Sequence, residues 1–286
     1  MAAVEIRRAS EGDLPAEQEV FRAPIGELFR GHAFEPPDSP PVGFEAQHRH
    51  LLRHDGERCF AAEEGGRVVG FSAAFAGGDA WFLSSLFVLP EAQGRGVGRR
   101  LLEHSLGDGY RRRLTLADSI QPVSNGLYVR RGLLPATPVL HLDGEPRTDA
   151  SGGLEAATLE ADALASLDRA AYGFDRAVDH AYWRAGPATG TLWLRDGDPC
   201  AYSYVWPGGR IGPIAGADGA ASADALRTEL ARADGTAGVV VPGSAPLLVR
   251  LAVDAGLRFT KPPGLLLLCG EATPPAALAL SSYTLF

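Results

Sequence analysis

The densest run of residues able to do chemistry is Gln93-Gly94-Arg95-Gly96-Val97-Gly98-Arg99. Glycines at this spacing let successive backbone N–H groups converge on one point, and a following helix adds the positive end of its dipole. Such a loop cradles phosphates, and Arg95 and Arg99 add direct charge-assisted contacts. A dinucleotide loop requires G-x-G-x-x-G after the first strand and an acidic residue ~20 positions on. Here the spacing differs and the preceding strand is the fourth. A Walker loop requires Gly-Lys-Ser/Thr, and Lys261, far downstream, is the only lysine. A glycine-rich turn that merely joins strand to helix is the remaining alternative, and the flanking arginines weigh against it.

The elements that must position this loop can be read from periodicity. A short strand at Val4–Arg8 precedes a helix start at Ser10, with Asp13 in a capping-box position, and the polar, Pro-rich stretch 14–53 is helical in pieces. Strand-like runs at 58–64 and 68–76, joined by Gly65-Gly66, read as a hairpin, and the apolar run 80–89 reads as a central strand ended by Pro90. Val97, Leu101, Leu102 and Leu106 recur at helical spacing after the loop. A strand at 113–116 follows. Asp118 with Gln121 forms a second capping pattern before a helix that carries Tyr128 and stops at Gly132.

The residues Leu86-Phe87-Val88-Leu89-Pro90-Glu91-Ala92-Gln93-Gly94-Arg95-Gly96-Val97-Gly98 resemble the signature of the GCN5-related N-acetyltransferase family, Q/R-x-x-G-x-G/A after a strand ending in hydrophobic-Val-x-Pro. The segment Gln121 to Leu133 is similar to the family's Asn-x-x-Ala-x-x-x-Tyr-x-x-x-Gly-Phe, with Gln121 for the Asn and Leu133 for the Phe. Together with the opening Ile6-Arg7-Arg8-Ala9, the resemblance covers residues 4 to about 134. It implies that the amides of Gly94 through Arg99 hold the pyrophosphate of coenzyme A, and that Gln93 and Gln121 are also among the cofactor-binding residues. It implies further that the backbone of Phe87 and Val88 pairs with the pantetheine arm, one N–H polarising the thioester carbonyl, and that Tyr128 protonates the departing thiolate. Many members place a glutamate on the fourth strand, whereas here that strand reads Trp81-Phe82-Leu83-Ser84-Ser85. A water relay through Ser84 or Ser85, a carboxylate such as Glu27, or deprotonation in bulk water are the alternatives for the base.

His48, His50 and His54 read as a solvated helix face beside Arg49 and Arg53, so no metal is assigned. Arg111, Arg112 and Arg113 read as a surface turn entering a strand, with contact to the adenine or 3′-phosphate of coenzyme A as the alternative. Cys59, Cys200 and Cys269 lie far apart, outside any metal-ligand spacing or disulfide framework. A net charge of −8 argues against nucleic acid and favours a cationic acceptor. The longest apolar run, Leu265–Cys269, is too short to span a membrane, and the first ten residues lack the apolar core of a signal peptide, which places the protein in the cytoplasm.

With 286 residues, two domains are expected, and the stretch 143–153 has linker composition. The second half repeats the order of elements without the loop: after the run 210–215 come Asp218 and Asp224 where phosphate would sit. The expected fold is α/β, two tandem acetyltransferase-like domains, each a mixed, mostly antiparallel sheet flanked by helices. Residues 1–145 form the acyl-CoA-binding catalytic domain, and residues 146–286 a degenerate one that shapes the acceptor site. Tyr172, Trp183, Tyr202, Tyr204 and Trp206 are its candidate core or acceptor-lining aromatics. The implied function is acyl-CoA-dependent N-acyl transfer, with acetyl-CoA as cosubstrate, to the amine of a small molecule through a ternary complex. A non-catalytic acyl-CoA sensor is the alternative.

Overall fold

A computed structural model describes residues 3–35, 43–148 and 153–286. The chain divides into two compact units. The first comprises Met1–Leu116, Ile120–Leu133 and Cys269–Glu271, and the second Ala117–Ser119, Leu134–Leu268 and Ala272–Phe286.

The first unit runs β1 (Glu5–Arg8), α1 (Leu14–Gly31), α2 (Phe44–Asp55), β2 (Phe60–Glu64), β3 (Arg67–Gly77), β4 (Ala80–Val88), α3 (Val97–Ser105), β5 (Arg112–Asp118) and α4 (Pro122–Val129). Its strands lie in the order β1-β2-β3-β4-β5. Every pair is antiparallel except β4–β5, which is parallel. Gly65 and Gly66, both at positive φ, make the two-residue turn of the β2–β3 hairpin that their spacing announced. The apolar run of β4 is central, as its composition requires, with Trp81, Phe82 and Leu83 buried.

Two irregularities in β4 shape the cleft. Opposite β3 the register passes from Ala73↔Ser85 to Ala74↔Leu83, so Ser84 is a bulged extra residue. Against β5 the pairing runs from Ala80↔Arg112 to Leu83↔Thr115 and stops there. The bulge adds local twist where the parallel ladder ends, and from Ser84 onward β4 turns away from β5. Leu86 and Val88 are thereby left beyond the end of the ladder to β5.

The second unit begins with β6 (Leu134–Gly144), then β7 (Glu155–Ala157), α5 (Ala161–Ala171), α6 (Ala177–Ala185), β8 (Thr189–Arg195), β9 (Asp198–Val205), β10 (Arg210–Gly216), α7 (Gly219–Arg232), β11 (Ala237–Pro242), α8 (Pro246–Asp254), β12 (Arg258–Phe259), β13 (Gly264–Gly270) and β14 (Leu278–Ala279). Its strand order is β13-β6-β11-β10-β9-β8-β7, with β12 beside β6 and β14 beside β10. Again a single parallel pair, β10–β11, interrupts antiparallel neighbours. From β7 to β13 the order of elements repeats the first unit, and Ile211, Leu226, Val239 and Leu248 centre its core. The mixed, mostly antiparallel α/β architecture read from the sequence is the one observed.

The expected boundary differs. The chain passes between units at Leu133/Leu134 rather than 145/146, and Asp143 and Gly144, expected in the linker, pair with Gly238 and Ala237 in β11. Pro135 and Pro138 hid β6 by breaking its alternation. Of the remaining linker residues, 149–152 lie outside the described residues. Among the described residues no helix is long and apolar enough to cross a membrane.

Candidate active site

The glycine loop forms the entry to α3. Gly94 and Gly96 adopt φ of +72° and +78°, the left-handed region that only glycine enters without strain. Gly96 is the N-cap of α3, and its carbonyl accepts the first helical bond from Arg100 N–H at 3.1 Å. Among the described residues no backbone acceptor pairs with the N–H groups from Gly94 through Arg99. The result is a concave run of open donors at the positive end of a helix, a fit for an anionic phosphate group.

Side chains brace this run. Gln93 Nε2 donates to the carbonyl of Val88 at 2.9 Å, tying the loop to the end of β4. A Cβ on Gly98 would lie 3.7 Å from Val88 Cγ2 and 3.9 Å from Leu127 Cδ2, so the first turn of α3 is held between β4 and α4. Arg95, expected to reach the phosphates, instead forms a two-pronged ion pair with Glu64 on the hairpin, at 2.7 and 3.0 Å. Its hydrogen bonds to Arg95 lower the Glu64 pKa below the usual carboxylate range. Arg99 is exposed, its guanidinium passing 3.9 Å from the Cβ position of Gly96, and it makes no ion pair among the described residues. Arg99 is therefore the cation free to meet a phosphate.

The edge of β4 can be assigned by alternation. Leu89 N–H donates to Val69 O at 2.9 Å, so Leu89, Phe87 and Ser85 direct their backbone groups to β3. Leu86 and Val88 then face the side on which β5 has departed. Of the two residues expected to present backbone there, Val88 does and Phe87 does not, being engaged with Phe71. With the Val88 carbonyl held by Gln93, its N–H remains as the open donor beside the loop.

Ser85 lies two residues beyond the last β4–β5 pair, its side chain on the face covered by α1 and α2. Its hydroxyl is 2.9 Å from His48 Nε2, and His48 Nδ1 is 2.9 Å from the carbonyl of Phe44. A carbonyl only accepts, so Nδ1 carries the proton and Nε2 accepts from the serine hydroxyl. Both side chains are buried, at 1% and 5% exposure, among Phe21, Phe44, Phe71 and Phe87. Burial pushes the imidazole down to about 4, so it is neutral near pH 7. His48 is thus not on a solvated face: α2 places it one turn after Phe44 and one before Leu51, an i, i+4 and i+3 apolar stripe that its arginine neighbours obscured. His50 is also buried, while His54 is exposed. Among the described residues no three His, Cys, Asp or Glu side chains are placed to hold a metal ion.

The other expected residues are distributed as follows. Tyr128 is buried on α4, the helix whose Leu127 touches the loop. Gln121 is the N-cap of α4, its side-chain oxygen accepting from Val123 N–H at 3.1 Å, so its amide oxygen serves the helix. Glu27 is exposed; the buried carboxyl of α1 is Glu17, which burial, reinforced by Asp13, pushes up to about 8. Arg112 and Arg111 pair with Asp79 at the turn into β5. In the second unit, Tyr202 and Tyr204 belong to a closed network in which Tyr202 Oη donates to Asp168 at 2.8 Å and His180 lies within bonding distance of both Asp168 and Tyr204. Tyr172 and Trp183 flank the buried Arg176 guanidinium, so these four aromatics are core. Trp206 is partly buried under Arg210.

Residues 25–133 match the sequence model of the acetyltransferase (GNAT) family. No curated protein matches the chain in sequence. Among solved structures, a Pyrococcus horikoshii protein described as an acetyltransferase superposes with a TM-score of 0.76 at 15% identity, covering 99% of this chain and 96% of that one. A GCN5-related N-acetyltransferase from Sphaerobacter thermophilus gives 0.64 at 16% identity, with 96% and 97% covered. A tandem GNAT protein from the clavulanic acid biosynthesis pathway gives 0.59 at 14% identity, with 95% and 99% covered. At these identities the superpositions show a shared fold alone, and the match in sequence is confined to residues 25–133.

Proposed function

From the premise that residues 25–133 carry a GNAT-family acetyltransferase domain, we propose that this protein is an acyl-CoA-dependent N-acyltransferase acting on the amine of a small molecule. The observation that carries the reading is the run of open amides from Gly94 to Arg99 at the start of α3, beside Val88, whose N–H lies past the end of the β4–β5 ladder. Acyl-CoA supplies the activated acyl group. Gly94 to Arg99 hold its pyrophosphate with Arg99 as the adjacent cation, while Arg95 and Gln93 keep the loop in shape. The open N–H of Val88 and the backbone of Leu86 bind an extended, amide-bearing chain as a neighbouring strand does.

For acyl transfer the amine must lose a proton and the departing sulfur must gain one. Ser85, its own proton directed to the neutral His48 Nε2, offers oxygen lone pairs that orient a water molecule, which carries the amine proton out to solvent. Tyr128 on α4, the helix whose Leu127 approaches the loop, is the donor to the thiolate, a phenol hydroxyl being a chemically suitable proton source for a departing sulfur. The net charge of −8 favours a cationic acceptor, consistent with an amine.

The test is calorimetric titration with coenzyme A alongside thiol release from acetyl-CoA over a panel of amines. Wild type should bind coenzyme A and release thiol with at least one amine, and Gly96→Glu should abolish both by placing a side chain and a negative charge at a positive-φ position in the amide cradle. Binding without thiol release from any acceptor would favour an acyl-CoA sensor. Absence of binding would overturn both.

A further inference from the structure

The second unit contains the same wedge as the first, and it is filled. There β10 and β11 run parallel only from Arg210↔Gly238 to Ile211↔Val239, and an irregularity in β10 follows at once between Ile211 and Ile214. This repeats the β4–β5 pair, which stops at Leu83↔Thr115 beside the Ser84 bulge. In the first unit the space beyond is the edge assigned above to acyl-CoA.

In the second unit β14 lies in that space. It pairs antiparallel with β10 through Ile214↔Ala279 and Ala215↔Leu278, and Leu280 N–H donates across to Val240 O of β11 at 2.8 Å. Leu278, Ala279 and Leu280 are fully buried. Just upstream, the chain crosses the start of α7. The carbonyl of Ala277 accepts from Gly216 N–H at 3.2 Å and from Ser222 Oγ at 2.7 Å, and a Cβ on Gly219 would lie 3.2 Å from the carbonyl of Ala276. The Asp218 carboxylate takes the Ala221 N–H at 2.7 Å. The Ala277 carbonyl thus takes a backbone donor at the end of β10 and a hydroxyl in the first turn of α7, and a carboxylate takes an amide of that turn, where the first unit leaves its amides open.

We propose that the segment Ala276–Leu280 is the permanent, built-in occupant of the second unit's cleft, bound as an added strand and substituting for acyl-CoA, so that each chain carries one acyl-CoA site. The inference rests on the acyl-CoA reading of the Gly94–Arg99 loop for the identity of what is displaced, and on β14 itself for the occupancy. A strand inserted between two others uses both of its hydrogen-bonding edges and buries its side chains, so a cosubstrate would have to replace every one of those contacts. Asp218 would additionally oppose its phosphates.

The test is hydrogen exchange of the full chain, with and without saturating coenzyme A, together with binding stoichiometry. One equivalent is expected for wild type and none for Gly96→Glu. Coenzyme A should slow exchange at Gly94–Arg99 and leave Gly216, Ser222 and Leu280 unchanged. The amide of Leu280 should exchange as slowly as those of β11 in either state. A second equivalent, an equivalent retained by Gly96→Glu, or a coenzyme-dependent change at Leu280 would overturn the proposal. Should wild type bind no coenzyme A, the acyl-CoA reading fails separately. Slow exchange at Leu280 then still supports a self-occupied cleft, and loop-like exchange there refutes it.

Discussion

Replacing Ser85 by alanine probes the reading of the Ser85–His48 pair on stability and rate at once. The substitution removes the donor to His48 Nε2 while Nδ1 stays committed to Phe44 O, so a buried acceptor loses its only assigned partner. Such an orphan costs about 1–3 kcal/mol, to be read as a lower urea midpoint at unchanged slope. If the serine relays the amine proton, kcat should also fall by about 10²–10⁴, the usual worth of a positioned base, while coenzyme A affinity stays near wild type. The second effect separates function from packing. Stopped-flow or endpoint thiol detection at saturating acetyl-CoA and amine gives kcat, and calorimetry gives affinity. Loss of stability with wild-type kcat would refute the relay and leave the pair as a core hydrogen bond. The imidazole adds a pH signature. Its pKa falls from 6.5 in the unfolded chain to about 4 when folded, so the unfolded state binds the proton first. Stability is therefore intact above about 6.5 and is lost as pH falls toward about 4, by about 3 kcal/mol in all. His48→Phe should remove that acid-side loss.

Glu17→Gln should stabilise the protein at pH 8 by up to about 4 kcal/mol and leave it unchanged near pH 4. The buried carboxyl is pushed from 4.5 up to about 8, so the folded state loses stability as pH rises between those values; chemical denaturation at both pH values checks this. Tyr128→Phe should lower kcat by about 10²–10⁴ with coenzyme A binding retained, measured by thiol release and calorimetry; an unchanged kcat would dismiss Tyr128 as the acid. Gly70→Ala should cost about 1–3 kcal/mol by overpacking, because its Cβ would stand 3.0 Å from Phe87 O and 3.1 Å from Leu101 Cδ1. Thermal unfolding reads the cost, and weaker coenzyme A binding should accompany it as the end of β4 shifts.

Much of the architecture is local and was legible. The glycines of the loop, the Gly65-Gly66 turn, the apolar run of β4 and the helical spacing after Val97 each act within a few residues, so the strand–loop–helix unit and the repeat of its order along the chain could be read directly. The same residues carried the family resemblance. What the sequence alone could not determine depends on which elements pack together. Arg95 looks like a phosphate ligand until the hairpin brings Glu64 to it, and Glu27 looks as good a carboxylate as Glu17 until one face of α1 is buried. His48 and Ser85 meet only because α2 lies over β4. The bulge at Ser84 is a mismatch between two strands and has no signal in either alone. β6 pairs with β11 despite its prolines, and β14, a short run of ordinary apolar residues, finds its place in the wedge between β10 and β11. Periodicity and turn chemistry determine elements because those forces act along the chain; partners, edges and buried protons are decided between elements, where only the folded structure brings the groups within reach.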